Sequence, residues 1–164
     1  MRFLFGSCLL LLCMIKGSNL FGQKEETDFK KSDFYKAMAG KNEDDINKQL
    51  DLLKATSIKE KNAYEGALLM KKAGITGGPK KKLNLFKEGH KKLEADLKKD
   101  SSNVEFHFLR LMIQEHAPGI LGYKGELEKD KLYIKNNFKK LPPVVQEAVI
   151  NYSKESKILK PSDL

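Results

Sequence analysis

One stretch limits the folds open to this chain more than any other: Asn103 to Ala117, NVEFHFLRLMIQEHA. Wound at about 100° per residue, its apolar side chains cover most of a helix's circumference. Val104, Phe106, Phe108, Leu109, Leu111, Met112 and Ile113 take roughly two-thirds of it. Asn103, His107, Arg110 and Gln114 share the remaining strip, because their spacings of 4, 3 and 4 return to one face. A helix apolar on so many sides must be covered by neighbours. The stretch therefore predicts a central helix with one polar window.

The rest of the chain supplies the covering helices. Ser32 is placed to cap a short helix carrying Phe34, Tyr35, Ala37 and Met38, stopped at Gly40. Asn42 caps a second, with Glu43, Asp44 and Asp45 in its first turn and Ile46, Leu50 and Leu53 on its buried stripe. Ser57 to Glu60 reads as a capping box for a third, which has a close-packing edge of Ala63, Gly66 and Ala67. Gly74 to Pro79 ends it, and a fourth helix runs from about Lys80 to Lys99 with Leu83, Phe86, His90, Leu93 and Leu97 on one side. Ser102 with Glu105 reads as the capping box of the central helix. After Pro118-Gly119 comes an apolar loop to Tyr123. A helix from Glu126 to about Lys140 follows, with Leu127, Leu132, Ile134 and Phe138 on its apolar side, then a last one from Pro142-Pro143. No stretch alternates as a strand would. The expectation is an all-α fold of about seven short-to-medium helices, with short connections making sequential neighbours antiparallel.

The two ends are set apart by composition. Met1-Arg2, the apolar run Phe3 to Ile15 and the break at Lys16 to Asn19 have the layout of a secretory signal peptide, with a cut expected after Gly22. That run is short for a membrane span of about 20 residues. The expected organisation is a leader at 1–22, one helical domain at 23–156 and a C-terminal tail at 157–164. Both cysteines, Cys8 and Cys13, fall in the leader. The mature chain then has neither a disulfide nor a thiolate metal site, which suits a periplasmic or extracellular bacterial setting. The formal charge is +9, of which Arg2 and Lys16 would leave with the leader. The remainder is spread lysine without a nucleic-acid motif. A solvated surface, or attraction to acidic envelope polymers, is expected, and no nucleic-acid partner.

Few constellations could carry chemistry. His90, His107 and His116 have no HxxxH or HExxH spacing, so no metal site is expected. Lys80, Lys81 and Lys82 at a helix N-terminus form a weak candidate anion site, without a P-loop ending. Arg110 is the only arginine beyond the leader. Its planar fork binds a carboxylate bidentately, which lysine cannot imitate. It locks two helices through an internal acid, contacts a ligand or partner carboxylate, or stands in solvent. His107, Arg110, Gln114 and Tyr123 are the candidate binding residues. No nucleophile lies near them in sequence, no cofactor motif appears, and no enzymatic activity is expected.

Two resemblances add to this reading. Leu97-Lys98-Lys99-Asp100-Ser101-Ser102-Asn103 resembles the hinge between tetratricopeptide repeats, with Gly89 at the repeat's small position and Leu93 at its large one. It implies TPR-like helical hairpins but not a regular solenoid. The segments 62–73, 85–89 and 104–123, including Val104-Glu105-Phe106, Phe108-Leu109-Arg110-Leu111 and Leu121-Gly122-Tyr123, resemble a family of uncharacterised exported helical proteins of Bacteroidetes-type bacteria. That implies an envelope setting. The expected function is a non-enzymatic exported interaction module that binds a protein or peptide. The alternative is a binder of a small amphipathic or acidic ligand in an interhelical pocket lined by Met70, Phe86, Phe106 and Tyr123.

Overall fold

The computed structural model describes residues 29–164. The expected leader with its two cysteines, and the polar stretch from Gln23 to Asp28, lie outside the described residues. Seven α-helices follow one another: α1 Lys31–Ala39, α2 Glu43–Ala55, α3 Lys61–Ile75, α4 Pro79–Lys99, α5 Val104–His116, α6 Leu127–Asn137 and α7 Pro143–Glu155. Among the described residues there is no strand. The all-α expectation holds.

Helix α5 is the centre. Every residue from Val104 to Gln114 is buried, including His107, Arg110 and Gln114 of the polar strip, and Asn103 is half-buried. It contacts α3, α4 and α6 along their lengths and meets α7 through the edge-on rings of Phe108 and Tyr152. Phe34, Ile46, Leu53, Tyr64, Leu68, Leu93, Phe108, Leu109, Leu111 and Ile134 are fully enclosed in one core.

Helices α3 and α4 are antiparallel, as the contacts Ala63 to Asp96, Gly66 to Leu93 and Met70 to Gly89 show. Their axes come close because glycine faces glycine. A methyl built on Gly66 would lie 2.6 Å from the Gly89 carbonyl oxygen, and one on Gly89 would lie 2.5 Å from the Gly66 carbonyl oxygen. The small-residue edge legible on α3 thus has its counterpart at Gly89.

Helix starts depart from the sequence reading in three places. Ser32 lies inside α1, whose N-cap position is Lys30, with no side-chain capping bond to the helix start. The capping box expected at Ser57 and Glu60 does not open α3. Glu60 is the N-cap of α3 without a side-chain bond, and the open N–H of Ala63 is taken by Asp96 of α4 at 3.1 Å. A carboxylate from a packed neighbour supplies the charge complement that a local cap would have given. For α5 the cap is Asn103, whose side chain accepts from the N–H groups of Glu105 and Phe106. Ser102 bonds Asp100 instead. Glu105 is pulled inward, where it accepts from the hydroxyls of Tyr35 and Tyr64, both at 2.7 Å, and from Lys31 at 2.9 Å. One carboxylate thereby ties α1, α3 and α5. Burial, with Glu105 adjacent, pushes both tyrosine hydroxyls well above their ordinary pKa, so they stay donors.

Helix α6 keeps Ile134 of its expected apolar side in the core, with Leu127 and Phe138 packed against it. Leu132 is exposed, while Asp130 is completely buried beside Ile134. The stretch expected as a tail is docked. Leu159 is fully buried, and Asp163 accepts from the Lys160 N–H and pairs with Lys131 and Lys135 of α6.

Candidate functional site

Two places combine polar chemistry with shape. The first lies where α4, α5 and α6 meet. Arg110 projects from the middle of α5 onto α6 and donates from Nε to Asp130 Oδ2 and from Nη2 to Asp130 Oδ1, both at 2.7 Å. This is the bidentate fork that arginine geometry favours. Its Nη1 donates to Glu94 of α4 at 3.1 Å, and Glu126 lies 3.9 Å away. Burial disfavours the guanidinium, but Asp130 and Glu94 outweigh it and raise its pKa above the ordinary value.

One turn back on α5, His107 Nδ1 lies 2.6 Å from Asp130 Oδ1 and Nε2 lies 2.9 Å from the Ser101 carbonyl oxygen. Both partners are acceptors, so the ring donates to both only in its doubly protonated form. The Tyr133 ring packs at a tilt against the imidazole, 4.2 Å between centroids, and its hydroxyl donates to the Ser102 carbonyl. These contacts run Ser102 to Tyr133, His107 to Asp130 and Arg110 to Glu126, so α5 and α6 are antiparallel.

Of the four candidate binding residues, the structure joins three. Tyr123 reaches the same cluster by donating to Glu94 at 2.5 Å, and its ring packs edge-on against Phe86 and His90. Burial and Glu94 raise its pKa. Gln114 is buried too, but its Oε1 has no partner among the described residues. The cluster is satisfied from within: Arg110, His107 and Tyr123 spend their donors on Asp130, Glu94 and a backbone carbonyl. Asp130, the residue that organises it, is not legible in the sequence because it sits 20 positions from Arg110 and is one acid among many.

The candidate lysines at the start of α4 separate. Lys80 and Lys81 border an open recess of about 570 Å³ with Glu88, and Lys81 lies 3.7 Å from Glu43. Lys82 faces the second place, a cavity of about 1150 Å³. Helices α1, α3, α4, α5 and α7 enclose it, and the loop after α5 contributes Ile120 and Leu121. Its walls are mainly apolar, with Met38, Met70, Phe86, Met112 and Ile113 among them. Met70 and Phe86 thus line it as expected. Phe106 and Tyr123 do not, because Phe106 is taken into the core and Tyr123 turns to Glu94.

The apolar loop divides in the same way. Tyr123 folds inward, while Ile120 is 95 % exposed beside the cavity. The charged residues of the lining are Lys36, Lys41, Lys71 and Lys82 on one side, and Glu147 and Glu155 on α7. Lys71 is half-buried; burial, with Lys41 nearby, holds its ammonium below its ordinary pKa. The sequence reading passed over Lys71 because it is one lysine among many.

Among the described residues no group of three or more His, Cys, Asp or Glu side chains is placed to hold a metal, and no helix is long and apolar enough to cross a membrane. Comparison with protein-family models, with curated proteins and with solved structures finds no match.

Proposed function

We propose that this protein is a non-enzymatic binding module of the cell envelope whose interhelical cavity takes up an amphipathic ligand. The observation that carries this reading is the cavity itself. At about 1150 Å³ it exceeds the ~300–1,000 Å³ of typical small-molecule sites, and its walls are mainly apolar with lysines and two glutamates among them. The signal-peptide layout of residues 1–22 and the resemblance to exported helical proteins support the envelope setting. The Arg110 cluster then serves as the lock that holds α4, α5 and α6 behind the cavity, not as the contact to ligand.

The test is binding of a neutral alkyl probe, dodecanol, followed by calorimetry. The whole chain is expected to bind it saturably. Ala148→Trp, which places an indole into the cavity from α7, is expected to abolish binding while the helical circular dichroism is kept. Unchanged binding by Ala148→Trp, or no binding by the parent chain, overturns the reading.

A second reading, a protein or peptide partner, has its own support in Ile120. A side chain so exposed, next to an apolar opening, offers a lip to another chain. A photo-crosslinking side chain at position 120 should capture that partner in the native envelope. Absence of any crosslinked product removes this reading without touching the first.

A further inference from the structure

Some of the described lysines meet a carboxylate, and others, inside and outside the cavity, do not. Lys31, Lys61, Lys72, Lys92 and Lys99 each meet a carboxylate within 4.0 Å. By contrast, none of the described carboxylates pairs with Lys36, Lys41, Lys71 or Lys82 of the cavity lining. Lys71 stands out among them. It comes from the last turns of α3, is half-buried against the apolar wall, and has Lys41 of the α1–α2 connection for a neighbour. Two cations held together at the edge of an apolar space are costly unless an anion joins them. The two glutamates of the lining stand on α7, apart from this pair in sequence and on a different wall.

We propose that Lys71 and Lys41 receive the anionic head of a single-chain amphiphile, a carboxylate or a phosphate monoester on an alkyl chain. The tail would lie against Met112, Ile113 and Ala148. This assignment rests on the cavity being a ligand site and adds the ligand's charge and its orientation. Lys71 supplies the buried contact and Lys41, which is exposed, the outer one. Glu147 and Glu155 repel an anion from the α7 side, so the head has one end of the cavity open to it. Burial and Lys41 hold the ammonium of Lys71 below its ordinary pKa, so an anion beside it relieves a penalty the cation carries alone.

A set of probes with one chain and four heads tests this: dodecanoate, dodecyl phosphate, dodecanol and dodecylammonium, titrated into the whole chain below their micellar concentrations. The anions are expected to bind about ten-fold more tightly than dodecanol, the effect of one charge-assisted hydrogen bond. Dodecylammonium should bind more weakly than dodecanol. Whichever anion binds more tightly identifies a carboxylate or a phosphate source. Lys71→Met should remove the anion preference and leave dodecanol binding intact, which also shows that the variant is folded. Lys71→Arg should keep it, and the preference should shrink as salt is raised. Equal binding of anions and dodecanol, or a preference that survives Lys71→Met, overturns the head-group assignment while the cavity reading stands. If no probe binds, both are wrong.

Discussion

Arg110 is held by carboxylates of graded exposure: Asp130 fully buried, Glu94 partly so and Glu126 at the rim. The Arg110 side chain itself is only 10 % exposed. An exposed pair contributes about 0–1 kcal/mol, whereas removing one member of a buried pair costs about 3–5 kcal/mol because the other charge is stranded. Asp130 retains His107 when the guanidinium goes, which softens the loss. Arg110→Ala is therefore expected to destabilise by more than about 2 kcal/mol in urea unfolding. Arg110→Lys should recover only part, since a point charge cannot replace two parallel bonds to Asp130. A wild-type unfolding midpoint for Arg110→Ala would mean that the lock contributes nothing. At this scale the sequence singles out one arginine in a lysine-rich chain and offers an internal acid as one of its candidate partners. It could not show which acid, because Asp130 and Glu94 are ordinary surface-type residues until α4 and α6 are docked on α5.

At the scale of the element, the α3–α4 pair depends on two glycines. Replacing glycine by alanine in a helix interior ordinarily stabilises by roughly 0.5–1 kcal/mol. Here the added methyl would meet backbone atoms of the facing helix at 2.5–2.8 Å, and backbone cannot swing aside as a long side chain can. Overpacking of this kind costs about 1–3 kcal/mol. Gly66→Ala and Gly89→Ala should each lower the melting temperature, against the direction of helix propensity. Gly74→Ala is the control: it is helical but open on that side, and should be neutral or mildly stabilising. If all three behave alike, the close approach is not what holds the pair. Of the loose pattern Leu127, Leu132, Ile134 and Phe138 on helix α6, Leu132 is left exposed, while the face that carries Ile134 also buries Asp130.

At the scale of the whole molecule, Glu115 joins the end of the central helix to the end of the chain. It accepts from the hydroxyls of Tyr152 and Ser156 and from the Lys157 N–H, at 2.5–2.6 Å. Partial burial opposes its ionisation. The bonds from Ser156, Tyr152 and Lys157, with His116 nearby, outweigh that and hold the carboxyl below its ordinary pKa. A depressed folded pKa stabilises fully above the unfolded value of about 4.3 and is lost as the pH falls through the lower folded value. Glu115→Gln should cost on the order of 1–2 kcal/mol at neutral pH. In acid the variant and the parent chain should converge, because the parent has then lost the same contribution. Parallel stability curves from neutral to acid pH would show that the carboxylate form has no special role. The result also bears on the last residues, whose docking follows from Ser156, Leu159 and Asp163 and was not visible in their polar composition.

What the sequence determined by itself is what local periodicity and coverage encode. A helix apolar around most of its circumference had to be central, and α5 is. Capping by Asn42, the small edge of α3 and the stop at Gly74 to Pro79 were equally local, each decided within a turn or two of backbone. Tertiary structure alone decided the rest. Asp96 caps α3 from 33 residues away, Asp130 claims Arg110, and Glu105 leaves its own helix start for two tyrosines of other helices. The cavity beside Lys71 belongs to no single segment; it is the space left among five helices, and no periodicity along one chain segment encodes a space between several. The physical reason is the same in each case. A buried charge or a void is defined by what surrounds it, and its surroundings come from elements that meet only after packing.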